Sequence, residues 1–248
     1  RAMGLSTRCA RTPSGVAVVA VHTRAAFPLV SAFVVVPTAV PDNRGLPHTL
    51  EHVVFCGSAA HPRRGVLDRA ATLCASAGTN AYTSEDHTCY TAATAGAAGM
   101  AVLLPLLLDH VLRPVISAET FSREVFRCED SVSGRAGRGV VYCEMQAREW
   151  SEDDLVDGAL RGALYGAAPG LATYAWECGG LTRDIARLSP ADVAAYHARH
   201  YVPHAVSVVV CGHGDAFRAL DWAAVVEAAA SGAHPLLLGG GNNGRVES

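Results

Sequence analysis

The stretch Leu46 to Phe55 (LPHTLEHVVF) decides how the rest of the chain is interpreted. It places His48 and His52 four residues apart, with Glu51 directly before the second histidine. Residues at positions i and i+4 lie on one face of an α-helix, so both imidazoles can reach a single metal ion. The stretch therefore predicts a helix that presents two metal ligands and a neighbouring carboxylate.

The residues just before this stretch carry the usual signals of a helix start. Asp42 and Asn43 can cap the first turn with their side chains, and Pro47 suits the first turn because its missing N–H is not needed there. We therefore expect the helix to begin between Asp42 and Pro47.

Composition limits the classes of function. The chain has 248 residues, of which 50% are hydrophobic and 17% charged, so it can bury a sizeable core as one large domain or two small ones. A net charge of −3 gives no electrostatic basis for binding nucleic acid or an acidic membrane surface. All 20 basic residues are arginine, which excludes P-loop, Schiff-base and pyridoxal chemistry that needs lysine.

Cysteine usage favours a reducing compartment. The eight cysteines are scattered and form no C-x-x-C pair, so neither a zinc knuckle nor a disulfide scaffold is indicated. We expect a cytoplasmic protein, or one of the mitochondrial or plastid matrix if a transit peptide precedes Arg1. The most apolar run, Met100 to Leu108, is short and is followed by Asp109, which predicts a core helix and not a membrane span.

Hydrophobic periodicity predicts a mixture of strands and helices that do not alternate strictly. The predicted strands are 15–22, 28–37, 79–84, 87–94 and 206–211. The predicted helices are 46–55, 65–77 (stopped by Gly78), 98–112, 117–130, 140–160, 183–188, 190–201 and 216–230. A flexible loop is expected at 131–139 and a glycine-rich linker or frayed end at 234–248. This order favours an α+β fold with one mixed, mainly antiparallel sheet covered by helices. We divide the chain into a domain at 1–215 and a terminal helix with linker at 216–248.

A catalytic zinc site normally takes three protein ligands and leaves one position for water. Glu144, in the run GVVYCEMQ, is the best candidate for the third ligand. It lies 92 residues after His52 in apolar surroundings, where a carboxylate needs a partner or a metal. The alternative is an ordinary acid near a helix start, favoured there by the helix dipole.

Three segments together resemble one protein family. LPHTLEHVVFCGS at 46–58, GTNAYTSEDHTCY at 78–90 and GVVYCEMQ at 139–146 are similar, in this order, to the inverted-motif zinc peptidases of the pitrilysin and insulysin type. The long spacing to Glu144 resembles the presequence-protease branch and its uncharacterised relatives. The resemblance covers roughly residues 15 to 215, as an N-terminal domain.

The resemblance implies a zinc endopeptidase domain of the pitrilysin-type fold that acts on extended or unfolded peptides. Zn²⁺ would be bound by His48, His52 and Glu144, and Glu51 would activate water as the general base. A strand containing Asn80 and Ala81 would pair edge-on with the substrate peptide, reading its main chain more than its sequence.

The chain departs from the family pattern in two respects. Relatives complete the site with an arginine and a tyrosine from a C-terminal half, so a second pitrilysin-type domain or a partner subunit is expected for full activity. Relatives also carry a second acid shortly before the third ligand, whereas position 137 here is glycine. Glu124 and Glu129 are candidate substitutes.

Several residues also have structural interpretations. Cys56 lies one turn after His52 but is expected to pack as a small hydrophobe. His87 and His110 are expected to form structural hydrogen bonds, and the cluster His197, His200 and His204 to mark a helix end rather than a second metal site. The rival functions are a non-catalytic structural subunit and an inactive fragment of such a protein.

Overall fold

The computed structural model describes residues 5–24, 27–131 and 134–234 of the chain. The strands within these ranges are β1 Leu5–Arg11, β2 Ala17–Thr23, β3 Leu29–Pro37, β4 Ser76–Thr83, β5 His87–Ala95, β6 Arg127–Ser131, β7 Gly134–Arg138 and β8 Ser207–Gly212. The α-helices are α1 Leu46–Val54, α2 Val66–Leu73, α3 Ala97–Leu112, α4 Ala118–Glu124, α5 Val140–Arg148, α6 Glu152–Tyr165, α7 Thr182–Ile185, α8 Pro190–His200, α9 Gly214–Ala219 and α10 Trp222–Ala230. Short 3-10 turns lie at Ala172–Ala175 and Pro203–Ala205.

Six strands form one sheet in the order β1-β2-β8-β3-β5-β4. The pair β2 and β8 is parallel, and the other neighbouring pairs are antiparallel. Strand β4 lies at one edge and β1 at the other. The expected α+β class with a mixed, mainly antiparallel sheet is confirmed.

The core lies against one face of this sheet. Alternate residues of β3 (Val30, Ala32, Val34 and Val36) are buried, whereas Phe33 between them is 38% exposed. This alternation arises because successive side chains of a strand point to opposite faces. Helix α3 is almost continuously apolar and packs on β3 and β5, and α10 packs on α3. Its Pro105 lies inside the helix.

Helix α1 forms as expected but begins differently. Its N-cap is Gly45 at φ +66, and no side chain caps it. Asp42 instead accepts hydrogen bonds from the main-chain and side-chain nitrogens of Arg44, and the amide oxygen of Asn43 accepts one from the main chain of Glu177. The capping roles predicted for Asp42 and Asn43 are therefore wrong, because both side chains are engaged elsewhere. Pro47 in the first turn is confirmed.

The second predicted helix ends earlier than expected. Helix α2 stops at Leu73, Ala75 turns the chain at φ +51, and β4 has begun by Ser76. Gly78 therefore lies inside a strand, and its predicted role as a helix stop is wrong. The periodicity misled because Leu73, which continues the apolar pattern, is 87% exposed.

The segment before Glu144 also differs from expectation. The helix predicted at 117–130 ends at Glu124, and the predicted loop at 131–139 contributes β7, which pairs with β6 in a hairpin. Ser117 caps α4 through the main-chain N–H of Thr120, as its position suggested.

Two long predicted helices are each divided. Ser151 caps the start of α6 by accepting from the main-chain N–H of Asp154, which separates α6 from α5. Asp221 caps α10 in the same way and separates it from α9. Short polar side chains in a helical pattern compete for main-chain donors and begin a new helix there.

The terminal helix α10 belongs to the same hydrophobic core as the sheet, with Trp222 and Val226 buried. The division at 215/216 stays a prediction, and most of the predicted linker, residues 235–248, lies outside the described residues. Among the described residues, no helix is both long enough and apolar enough to cross a membrane.

Candidate metal centre and substrate edge

Helix α1 brings His48 and His52 together because one turn separates them. Their Nε2 atoms lie 3.2 Å apart and their rings meet edge to face. His48 is buried and His52 is half-buried. Seven of the nine residues of α1 are buried, so both rings project from a helix that the core holds in place.

Glu144, in the second turn of α5, completes a cluster of three donor groups. Its Oε1 lies 3.7 Å from Nε2 of His48, and its Oε2 lies 3.5 Å from Nε2 of His52. Three ligands each about 2.1 Å from a tetrahedral zinc ion would lie roughly 3.4 Å apart. The observed separations match that spacing and the donor set is one that zinc prefers, so these residues fit the metal that the sequence implied.

Glu51 lies beside this cluster and accepts a hydrogen bond from the hydroxyl of Thr83 on β4. Burial raises the pKa of the Glu51 carboxyl, and the charge of Glu144 acts in the same direction, whereas the Thr83 hydrogen bond and His48 oppose the rise. A raised pKa makes a carboxylate a better proton acceptor near neutral pH.

A histidine binds a metal ion in its neutral form, and the surroundings of His52 favour that form. Burial lowers the pKa of His52, and the neighbouring His48 lowers it further. Nδ1 of His48 lies 3.4 Å from the carbonyl oxygen of Gly179. If that nitrogen carries the proton, it donates to the carbonyl and leaves the Nε2 lone pair facing His52 and Glu144.

The predicted substrate residues lie on edge strand β4, which passes beside α1. Asn80 pairs in register with Thr91 of β5, and Ala81 pairs with Tyr90. Ala81 is half-buried and lines the cleft that holds His48 and Glu51, whereas Asn80 is exposed at its rim. Among the residues that the structure describes, no strand pairs with the outer side of β4, so its main chain can accept one.

The structural interpretations of the remaining candidates hold. Cys56 is buried, burial raises the pKa of its thiol to about 11, and its Sγ donates to the carbonyl of His52. His110 bonds the carbonyl of Leu106. His87 pairs with Asp86, His197 contacts the carbonyl of Val111, and His197 and His200 lie in the last turn of α8. Among the described residues, His48, His52 and Glu144 form the one group with metal-site spacing.

Of the two substitute acids, Glu124 lies in the cleft. It is 5% exposed and pairs with Arg64. Burial lowers the pKa of His52, and the negative charge of Glu124 partly opposes that lowering. The side chain of Glu129 lies outside the described part of the structure.

Sequence reasoning missed the groups that surround the candidate centre. Thr83 could have been found, because it lies two residues after Ala81 on the same face of a predicted strand. The segment 177–180 and Arg161 gave no signal. Their contacts join residues far apart in the chain, and no local periodicity reports such contacts.

Sequence comparison supports the resemblance. The model of the family described as Insulinase (Peptidase family M16) matches residues 38–135. An uncharacterised protein of Caenorhabditis elegans is 36% identical over 196 residues, which is 78% of this chain and 19% of the relative. The mitochondrial presequence protease of Eremothecium gossypii is 33% identical over 192 residues, 74% of this chain and 19% of the relative. The chain thus spans about a fifth of the length of these curated relatives.

Solved structures share the fold. The crystal structure of pitrilysin matches with a TM-score of 0.69 and 16% identity over 91% of this chain and 22% of that one. The inactive M16 peptidase domain of Pseudomonas fluorescens matches with a TM-score of 0.71 and 15% identity over 91% of this chain and 50% of that one. These solved structures share the fold, and the family match with the relatives of 33% to 36% identity shows that the chain belongs to the insulinase (M16) family of peptidases.

Proposed function

We propose that the chain is a zinc-dependent endopeptidase domain that hydrolyses extended or unfolded peptides. His48, His52 and Glu144 bind Zn²⁺, and Glu51 is the general base. The observation that carries this proposal is that the three donor groups lie 3.2 to 3.7 Å apart, beside the half-buried carboxylate of Glu51. The intact ligand set argues against a purely structural role.

Zinc supplies Lewis acidity, which acidifies water and polarises the scissile carbonyl group. Glu51 accepts the proton of the attacking water and passes it to the leaving amine nitrogen. Thr83 holds the Glu51 carboxylate on the cleft side of β4 through its hydroxyl. Burial of Glu51 strengthens it as a base, because the charged carboxylate is poorly solvated there.

The substrate lies along β4 as an added strand. Main-chain groups of the peptide pair with the outer side of β4 near Asn80 and Ala81, which carries the scissile bond past Glu51. This arrangement selects an extended backbone and demands little of the side chains. It favours unfolded segments over folded proteins, because a folded protein has no free strand to offer.

Full activity needs more than these residues. The relatives are about five times longer than the matched part, which supports a contribution from a second M16-type domain in a longer polypeptide or from a partner subunit. Groups from that second part would contact the substrate from the side of the cleft opposite β4.

For location, eight free thiols are consistent with a reducing compartment such as the cytoplasm. The mitochondrial presequence proteases among the relatives support the alternative, the mitochondrial matrix.

A paired-variant experiment tests the function. The chain, alone and joined to a second M16-type domain, is assayed with an internally quenched unstructured peptide, and zinc is measured by elemental analysis. We expect Glu51→Gln to keep stoichiometric zinc and to lose at least about 10³-fold in kcat/KM, since the proton acceptor is removed while the metal stays. Glu144→Gln is expected to lose zinc.

The control is Glu152→Gln, an exposed acid at the start of α6 that touches none of these groups. It should match the parent protein in both zinc content and turnover. Retained turnover in Glu51→Gln would remove Glu51 as the base, and full zinc in Glu144→Gln would remove Glu144 from the ligand set. Stoichiometric zinc with no turnover of any peptide, in either form of the protein, would favour the non-catalytic subunit.

A further inference from the structure

A short segment after the 3-10 turn at 172–175 lies against the back of His48. The carbonyl oxygen of Gly179 is the group that faces Nδ1 of His48, at 3.4 Å. The main-chain N–H of the same residue donates to Oε1 of Glu177 at 3.1 Å. The Glu177 carboxylate therefore holds the main chain at Gly179, the residue whose carbonyl group contacts the histidine.

Glu177 is in turn held by Arg161 of α6. Nη2 of Arg161 lies 2.5 Å from Oε2 of Glu177, and Nη1 donates to Glu85 at 2.7 Å and to the carbonyl of Trp176 at 3.0 Å. Nε lies 2.9 Å from the carboxylate of Asp157. The Arg161 side chain is 12% exposed and that of Glu177 is 21% exposed, so this pair is screened less than a surface pair, whereas Asp157 is 58% exposed.

Main-chain contacts prevent the segment from moving independently of α1. The N–H of Leu181 donates to the carbonyl of Asn43 at 2.8 Å, just before the helix begins. Gly45 lies close to the segment. A Cβ on Gly45 would lie 2.3 Å from the carbonyl oxygen of Gly179 and 2.8 Å from Cα of Gly180. On the other side, a Cβ on Gly179 would lie 2.6 Å from the sulfur of Met145, the residue after Glu144. The segment is thus a spacer between α1 and α5.

The contact with this spacer bears on which ring nitrogen of His48 carries the proton. A neutral imidazole has one N–H and one lone pair, and a hydrogen bond made by one nitrogen decides the state of the other. With Nδ1–H donating to Gly179, the Nε2 lone pair points toward Nε2 of His52 and toward Glu144. Partners of this kind typically change metal affinity by about 10- to 100-fold when removed.

We propose that Arg161 and Glu177 are positioning residues that act on His48 through the Gly179 carbonyl. They keep the imidazole in the Nδ1–H tautomer and orient its Nε2 for the metal. The inference rests on the proposed zinc site, but its structural part, the state of His48, concerns the metal-free chain as well.

The experiment compares Glu177→Ala with Asp157→Ala in the full chain. Both remove one carboxylate partner of Arg161, but only Glu177 reaches the Gly179 N–H, so Asp157→Ala is the matched control. Zinc affinity is measured by competition with a chromophoric chelator. The tautomer of His48 in the metal-free protein is read from its ¹⁵N chemical shifts, which are assigned with His48→Gln.

We expect Glu177→Ala to weaken zinc binding at least about 10-fold and to lower the Nδ1–H population of His48, with Asp157→Ala within about twofold of the parent protein. Arg161→Gln should resemble Glu177→Ala, and the double variant should be no worse than either, because both act on one contact. Glu177→Gln should recover much of the loss, since an amide oxygen can still accept the Gly179 N–H.

Equal effects of Glu177→Ala and Asp157→Ala, or an unchanged His48 tautomer in Glu177→Ala, would overturn the inference. If circular dichroism shows that Glu177→Ala does not fold, Glu177→Gln and Arg161→Gln are compared instead, by zinc affinity and by the tautomer of His48. A parent protein that binds no zinc would refute the proposed function, and the tautomer comparison would still decide this inference.

Discussion

Helices α1 and α6 line the same cleft but are attached to the molecule in opposite ways. Seven of the nine residues of α1 are buried, whereas none of the fourteen residues of α6 is. Hydrophobic burial holds α1, whereas the contacts of α6 include the ion pairs of Arg161 and the pair of Asp154 with Arg148. The helix that carries the two histidines is packed into the core, whereas the helix that contributes Arg161 and Asp157 to the cleft has no buried residue.

The difference teaches where precision is needed. A metal ligand must be held within a fraction of an ångström of its binding position. A helix that is tightly packed into the core provides this precision. A helix without buried residues opens more easily, since few apolar contacts oppose its local unfolding. Arg161 connects α6 to the surroundings of α1, because it belongs to α6 and pairs with Glu177 in the segment behind His48.

The largest effect is expected from Leu50→Ala in α1. Leu50 is completely buried, and its truncation should lower the free energy of unfolding by about 2 to 5 kcal/mol through lost transfer energy and a cavity. Urea denaturation followed by circular dichroism measures this. A loss below about 1 kcal/mol would break the comparison, because α1 would then not depend on its buried face.

The next effect is the difference in unfolding free energy between two glycine variants, which measures the contact of the spacer with α1. Gly45 and Gly65 are both N-caps at positive φ, but a Cβ on Gly65 would meet nothing within 4 Å. Gly65→Ala should cost about 1 to 2 kcal/mol for the left-handed conformation alone. Gly45→Ala should cost roughly 1 to 3 kcal/mol more, because its Cβ would overlap the Gly179 carbonyl.

Denaturant titration of the two variants side by side isolates that contact. Equal losses would show that the segment behind His48 yields freely to α1, contrary to its proposed role as a spacer.

The smallest effect is expected on α6. Leu160 is 53% exposed, so Leu160→Ala should change the free energy of unfolding by no more than about 0.5 kcal/mol. The same urea titration measures it. A loss above about 1 kcal/mol would show that the apolar side of α6 packs against something in this chain, and the contrast with α1 would shrink.

The sequence predicted those parts of the site whose signal is local. The spacing of His48 and His52 gave α1 and its metal-facing side, and the apolar run around Glu144 marked that carboxylate as one needing a partner. The strands predicted at 79–84 and 87–94 correspond to β4 and β5. In each case a few neighbouring residues contain the physical reason.

The parts that escaped prediction depend on distant contacts. Asp42 and Asn43 have the chemistry of helix caps, but Arg44 and Glu177 engage their side chains first. Leu73 continues a helical pattern into a region that the fold exposes. Arg161 looks like one more charge on a solvated helix, and its burial follows only from the positions of Glu85 and Glu177.

The place of β8 in the sheet has a consequence for the order in which the molecule is made. Residues 29–95 supply β3, β5 and β4 and carry α1, so the sheet half beside the cleft is contiguous in the chain. In the part of the sheet that the structure describes, the β1–β2 hairpin is joined to that half by β8, residues Ser207–Gly212, which the ribosome makes much later. During synthesis, the β1–β2 hairpin and the β3-β5-β4 unit therefore cannot be joined into this one sheet before β8 has been made.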